Sequence, residues 1–342
     1  MGTYKDRSDA KMYSPKKKSR SRSTAKKTPA VRYLRYNLVN SAQVGTETSH
    51  YIDLARDLSR VNRRLYRQGR DYHVKRITIV SSNSGQSQGP SPGDSYAQHA
   101  GRITAGTIAG GWVSRQAWKR GFATWNKMNE LATMNVQGDI SGTWSDFKVY
   151  LSNDMRTGTI LTPVDNGGNT YNAGDWDYSE MVSPDGTTGA DPWLLHMLGA
   201  HVAGGGSGDT YTSVGLVQSY GEGRATVDTD QPNVQSNVSD DPLVNLFDDG
   251  TVHDEIIDDL EGQNDNAPYG TNNYPGDGGN APKPIVVQQT TLGTDGKATM
   301  GGFSALCGLI ELETTSPIAS DTYSVLVELA PGSYRGLKAE VI

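Results

Sequence analysis

Charge is divided along this chain as if it came from two different proteins. Residues 1–36 carry twelve Lys or Arg against Asp6 and Asp9, a net +10, and residues 37–81 bring the first 81 to +14. The other 261 residues hold 12 basic and 32 acidic side chains, a net −20, so the overall −6 conceals a basic arm on an acidic body. The first thirty positions, with PKKKSRSRSTAKK at their centre, offer almost no apolar surface to offset the entropy of ordering a backbone. Residues 1–36 are therefore expected to form a disordered, nucleic-acid-binding arm. Residues 37–342 must then supply the whole core.

The body reads as mainly β. Gly accounts for 40 of 342 residues and Pro for 15, a turn-rich composition that argues against helical bundles and coiled coils. No apolar run approaches the ~18 residues of a membrane span, and no apolar segment follows the charged start as in a secretory signal. The single cysteine, Cys307, rules out a disulfide framework within the chain. Helical spacing predicts helices near 51–68, with Ser49 as N-cap and Gly69 as stop, near 112–132, and near 251–261. Alternation predicts strands at Tyr72–Ile79, Phe147–Leu151, Trp176–Glu180, Trp193–Val202, Val214–Tyr220, Ile285–Leu292, Ala298–Leu312 with a break at Gly301-Gly302, and Tyr323–Leu329. Asp295-Gly296 signals a hairpin. About eight strands with long loops at 81–101 and 263–283, and no fixed repeat, suit a single eight-stranded jelly-roll sandwich with two to three inserted helices. Phe147, Val149 and Leu151 are expected to share one interior with Tyr323, Val325, Val327 and Leu329.

The search for catalytic chemistry is mostly negative. HExxH and GxSxG patterns are missing, and GGGSGDT at 204–210 lacks the Lys of a phosphate-binding loop. His196 and His201, on a segment that reads as strand, would point to opposite faces and are taken as core or rim histidines rather than a metal pair. Cys307, inside an apolar strand, reads as a small buried hydrophobe. The carboxylates around 240–265 are a weak calcium candidate centred on Asp258 and Asp259, or the solvated face of a helix. Asn237-Val238-Ser239 is a glycosylation sequon by pattern alone. No enzymatic activity, cofactor or resident metal is expected.

The positive signal is the arm. Lys16, Lys17, Lys18, Arg20, Arg22, Lys26 and Lys27 crowd twelve positions, and such a polycation binds a phosphate backbone by releasing condensed counterions. The same run resembles a nuclear-localisation patch. Tyr33 and Tyr36 interleave with Arg32 and Arg35, offering rings for base stacking beside charge. Arg63, Arg64 and Arg67, on the polar face of the first helix with Arg56 and Arg60, could extend the basic surface.

Three stretches resemble one family. YIDLARDLSRVNRRLYRQGRDYHVKRITIV at 51–80, GWVSRQAWKRGFATWNKMN at 111–129 and FSALCGLIELETTSPIASDTYSVLVELAPGSYRG at 303–336 are similar to capsid proteins of circular single-stranded DNA viruses that encode a rolling-circle Rep protein. The resemblance implies a jelly-roll subunit of a small icosahedral shell of about 60 copies. It further implies an arm inside the shell on single-stranded DNA, and passage through the host nucleus by the host import machinery before residence in the virion. The same physics also fits an RNA-virus coat protein, and the alternative of a different class is a nonviral β-sandwich that binds nucleic acid or glycan as a monomer or small oligomer.

Overall fold

The computed structural model describes residues 30–82, 101–133, 144–172, 174–182, 192–204, 211–225, 276–277, 283–293 and 295–342. The lysine-rich run 16–27, the loop at 83–100, and the helix expected at 251–261 with Asp258 and Asp259 lie outside these residues.

Among the described residues the chain is mainly β, built largely of antiparallel sheets. The sequence YLRYNLV makes the first strand, β1 (Tyr33–Val39), in which Leu34, Tyr36 and Leu38 point inward and the residues between them point out. β1 pairs with β14 (Thr322–Leu329), β14 with β3 (Arg70–Ser81), and β3 with β11 (Lys297–Met300). Two short strands, β12 (Phe303–Leu306) and β16 (Ala339–Val341), also pair with β3, and β15 (Pro331–Tyr334) leads into β16. A second sheet runs in the order β10 (Ile285–Thr291), β4 (Arg102–Thr107), β13 (Leu309–Thr315), β2 (Thr48–Asp53). The pairings are nested: β1 with β14, β2 with β13, β3 with β11 and β4 with β10. One buried cluster draws on both sheets, joining Tyr36, Ile77, Ile79, Val325 and Val327 to Ile52, Ile103, Ile310 and Leu312.

A change of parity in β3 bends the first sheet. Tyr72 and Val74 are buried at even positions, Ile77 and Ile79 at odd ones, and between them Lys75 and Arg76 are both exposed and both reach Glu328, at 2.7 and 3.0 Å. The register against β14 shifts at this point, between Glu328 and Leu329, as a bulge requires. The break at Gly301-Gly302 falls opposite the same place, separating β11 from β12. A Cβ on Gly302 would lie 2.9 Å from the carbonyl oxygens of Val74 and Lys75, so only glycine lets the backbones approach this closely.

Between β4 and β10 the chain builds a second body of structure. Helix α2 (Trp112–Thr133) comes where its apolar stripe predicts it. A mixed sheet follows: β5 (Tyr150–Ser152), β7 (Pro192–Leu198), β9 (Tyr211–Gly215) and β8 (Val202–Ala203) in that order, with β6 (Glu180–Val182) also on β7. The pairs β5·β7 and β7·β9 are parallel. Phe147, Val149 and Leu151 are buried here with Val113, Trp118, Met197 and Val217, in a core separate from the one that holds Val325. The two alternating segments thus face different interiors. Their alternation located buried faces but carried no information about which partner each face meets.

Other expectations are corrected. The first helix, α1, covers only Leu54–Asn62, because residues 48–53 pair with β13. Asp53, not Ser49, caps it by accepting from the Arg56 backbone N–H, and Arg63, at φ 50°, ends it before Gly69. Residues 216–220 do not extend the strand β9 but open helix α4 (Leu216–Ala225), while residues 153–157 form the short helix α3 (Asn153–Thr157). Only Glu180 of the Trp176–Glu180 segment is in a strand. Asp295-Gly296 does make a turn, but it joins strands of different sheets rather than a hairpin. Cys307 is fully buried, as expected, yet it sits in the turn between β12 and β13 at φ 60° instead of in a strand. No helix among the described residues is long and apolar enough to cross a membrane.

His196 makes the second core pH-sensitive. Its Nδ1 lies 2.7 Å from Ser213 Oγ and its Nε2 3.1 Å from the Ala200 carbonyl, so a neutral ring can accept from the hydroxyl and donate to the carbonyl. Burial pushes its pKa down to about 4. A base whose folded pKa is depressed adds stability above its unfolded value and loses it as pH falls through the window from about 6.5 to 4, here about 3 kcal/mol. Asp57, raised by burial to about 6, works in the opposite direction over nearly the same range. The difference between wild type and His196→Gln therefore isolates the histidine: urea midpoints should fall more steeply from pH 7 to 4.5 in the wild type. Parallel pH profiles would contradict this assignment.

Candidate nucleic-acid interface

The first turn of α1 rests on a buried charged network. Asp53 ends β2 and caps the helix with Oδ1, while its Oδ2 accepts from Gln68 Nε2 at 3.2 Å, Trp176 Nε1 at 3.1 Å and the Tyr178 hydroxyl at 3.1 Å. Burial raises the Asp53 pKa, with Arg56 and these donors opposing it. Arg56 Nε donates to Asp57 at 2.8 Å and its Nη2 to the Leu161 carbonyl, and Tyr36 donates its hydroxyl to Asp57 at 2.7 Å. Burial opposes the Arg56 charge, but Asp57 and Asp53 outweigh it and raise its pKa. These contacts tie β1, the junction of β2 and α1, Gln68, Leu161, Trp176 and Tyr178 into one wall.

Outside that wall lies a concavity of about 760 Å³. Its lining includes Arg60, Arg63 and Arg64 from α1 and its end, together with Trp144, Lys148, Tyr171 and Trp176. Asp175 is the single carboxylate among the lining residues, and Arg56, which also lines it, is already neutralised by Asp57. Lys148 Nζ sits 4.7 Å from the centre of the Trp176 ring and donates to the Asp177 carbonyl at 3.2 Å. Trp144 is 66% exposed. Among the described residues Arg60, Arg63 and Arg64 form no ion pair, and Arg60 Nε is buried without an acceptor. Burial, and then the neighbouring Arg56 charge, lower the Arg60 pKa. Cationic forks beside aromatic rings are the donor set that holds phosphates and stacks bases of a single strand.

Of the residues singled out in the sequence, Arg63 and Arg64 reach this concavity. Arg67 does not: its Nη1 is taken by Asp146 at 2.9 Å and the Ser145 carbonyl at 3.2 Å. Arg35 lies on the outward face of β1 and donates to Ser324 Oγ at 3.3 Å, and Arg32 is half-buried just before that strand. Tyr33 is exposed, but Tyr36 is wholly buried and bonded to Asp57, so it cannot stack on a base; the strict alternation of β1 sends it inward. Val31, Tyr33, Arg35, Tyr171 and Leu326 border a second, smaller groove of about 420 Å³, and Tyr171 belongs to both. The chain enters this region at Val31, whose N–H donates to Asn62 Oδ1 at 2.7 Å while Asn62 Nδ2 donates back to the Val31 carbonyl at 3.1 Å. The root of the basic arm is thereby fastened to the helix that carries the free arginines.

His196 and His201 are spoken for: His201 Nδ1 accepts from the Gly215 N–H at 3.0 Å and its Nε2 meets Glu222 at 3.2 Å. No group of three metal-ligating side chains occurs among the described residues. Sequence reasoning missed Trp144, Lys148, Tyr171 and Trp176 as site residues. Their only signal was aromatic side chains set in otherwise polar stretches, TWSDFK and NTYNAGDWDY, more than eighty positions from α1. Comparison with protein families, characterised proteins and solved structures gives no match for this chain.

Proposed function

We propose that this protein is a structural capsid protein, with no enzymatic role, that self-assembles into a small icosahedral shell around single-stranded DNA. The observation that carries the reading is the arm's point of entry. A segment of net +8, residues 1–30, joins the folded body at Val31, hydrogen-bonded to α1 beside unpaired arginines and exposed aromatic rings. Charge on the arm would neutralise the phosphate backbone, and the adjoining surface suits unpaired bases. The subunit would be an eight-stranded jelly roll formed by β1, β2, β3, β4, β10, β11, β13 and β14. Support for that comes from the nested pairing, first strand with last and fourth with fifth, which two interleaved Greek keys produce. The mixed sheet and α2, inserted between β4 and β10, would then decorate one side of the shell subunit. The run at 16–27 would serve nuclear import before assembly, and the virion and host nucleus would be the protein's locations.

Nuclease typing of what co-purifies tests this reading. Protein purified at low salt should carry nucleic acid that, once released, is degraded by DNase and single-strand nuclease but not by RNase. RNase sensitivity would move the protein to the RNA-virus coat class, and protein free of any nucleic acid at low salt would contradict packaging.

A further inference from the structure

Arg56, Arg67, Arg76, Arg102 and Arg115 each hold a carboxylate within 3.0 Å. Of the arginines that hold none among the described residues, Arg60, Arg63 and Arg64 come together as lining residues of the concavity at the end of α1. Arg60 lines the same concavity, and its buried Nε has no acceptor among the described residues. An anionic oxygen entering the concavity would meet the Arg63 and Arg64 forks. The same lining offers Trp144, 66% exposed, while Trp176 is fixed by its bond to Asp53 and covered on one face by Lys148. At about 760 Å³ the space is of the size of small-ligand sites, roughly 300–1,000 Å³. A duplex hides its base faces inside the stack; an unpaired nucleotide presents one.

The geometry points to a pocket for a single nucleotide unit of the packaged strand, its phosphate among Arg60, Arg63 and Arg64 and its base on Trp144. This rests on the packaging reading and deepens it. The arm gathers the strand by charge, and the pocket, adjacent to the arm's root at Val31, fixes one nucleotide of it in each subunit.

The test uses the full-length chain with Lys16, Lys17, Lys18, Arg20, Arg22, Lys26 and Lys27 replaced by Gln, so that the arm contributes little. Binding of hexathymidylate is followed by tryptophan quenching. In this background Arg63→Gln with Arg64→Gln should weaken binding about 10-fold, Trp144→Ala should do likewise and remove most of the quenching, and thymidine 5′-monophosphate should compete better than inorganic phosphate. These are exposed or half-exposed positions that can change without loss of folding, and Arg60→Gln is added where its melting curve matches the parent. Unchanged affinity in all variants would overturn the pocket. Inorganic phosphate competing as well as the nucleotide would overturn its base-binding half. The arm reading is judged separately: if the unmodified protein retains long single-stranded DNA and the Gln-substituted arm does not, packaging stands even where the pocket fails. If the unmodified protein retains none while hexathymidylate still binds, the pocket stands and packaging fails.

Discussion

Replacing Lys16, Lys17, Lys18, Arg20, Arg22, Lys26 and Lys27 together by Gln should lower affinity for long single-stranded DNA by about 10³-fold or more at 50 mM salt. Each neutralised phosphate adds about −0.7 to the slope of log K against log salt for a single strand, so losing seven contacts flattens that slope by about 5. The melting midpoint and circular dichroism should stay where they are, because these positions bring almost no apolar surface to any core. Retention measured at 50 and 200 mM salt is the check, and equal retention with equal slopes would remove the arm from the account. The arithmetic also sets a limit. If about 60 copies formed a shell, residues 1–30 at +8 each would supply about 480 charges, so a strand on the order of 1,000–3,000 nucleotides would need polyamines or metal cations for the remainder.

Val325→Asp should abolish soluble protein. Val325 is 1% exposed, faces Tyr36 across β1 and Ile79 across β3, and lies at the centre of the cluster shared by the two sheets. A carboxylate there would have apolar neighbours on every side, a loss of several kcal/mol against a total stability of about 5–15 kcal/mol. Val325→Ala leaves a small cavity without a buried charge and should remain soluble with a lower urea midpoint. Soluble, cooperatively folding Val325→Asp would mean that this face of β14 is not buried in the protein. The neighbouring Leu326, 37% exposed, is the contrasting site: Leu326→Asp should be tolerated.

The two sheets were legible where the chain alternates strictly. Tyr323, Val325, Val327 and Leu329 mark β14, and the parity change between Val74 and Ile77 shows up as a bulge in the folded sheet. The boundary of α1 was not legible, because Tyr51 fits a helical stripe as well as a strand and only the pairing of residues 48–53 with β13 decides between them. The mixed sheet was hidden for a similar reason: Val214 and Leu216 to Tyr220 are apolar enough for either state, and α4 forms because α2 is there to cover it. In the candidate site, Arg63 and Arg64 could be read from the basic face of a helix, but Arg67, with the same signal, is claimed by Asp146. A one-dimensional pattern lists cations; it does not show which of them a distant carboxylate has already neutralised.

Closure of copies of this chain into a shell around a strand is measured by electron microscopy of the purified full-length protein. Uniform, closed, small icosahedral particles with density inside are expected. A field of monomers or small open oligomers, at every protein and salt concentration tried and with single-stranded DNA present, would contradict it.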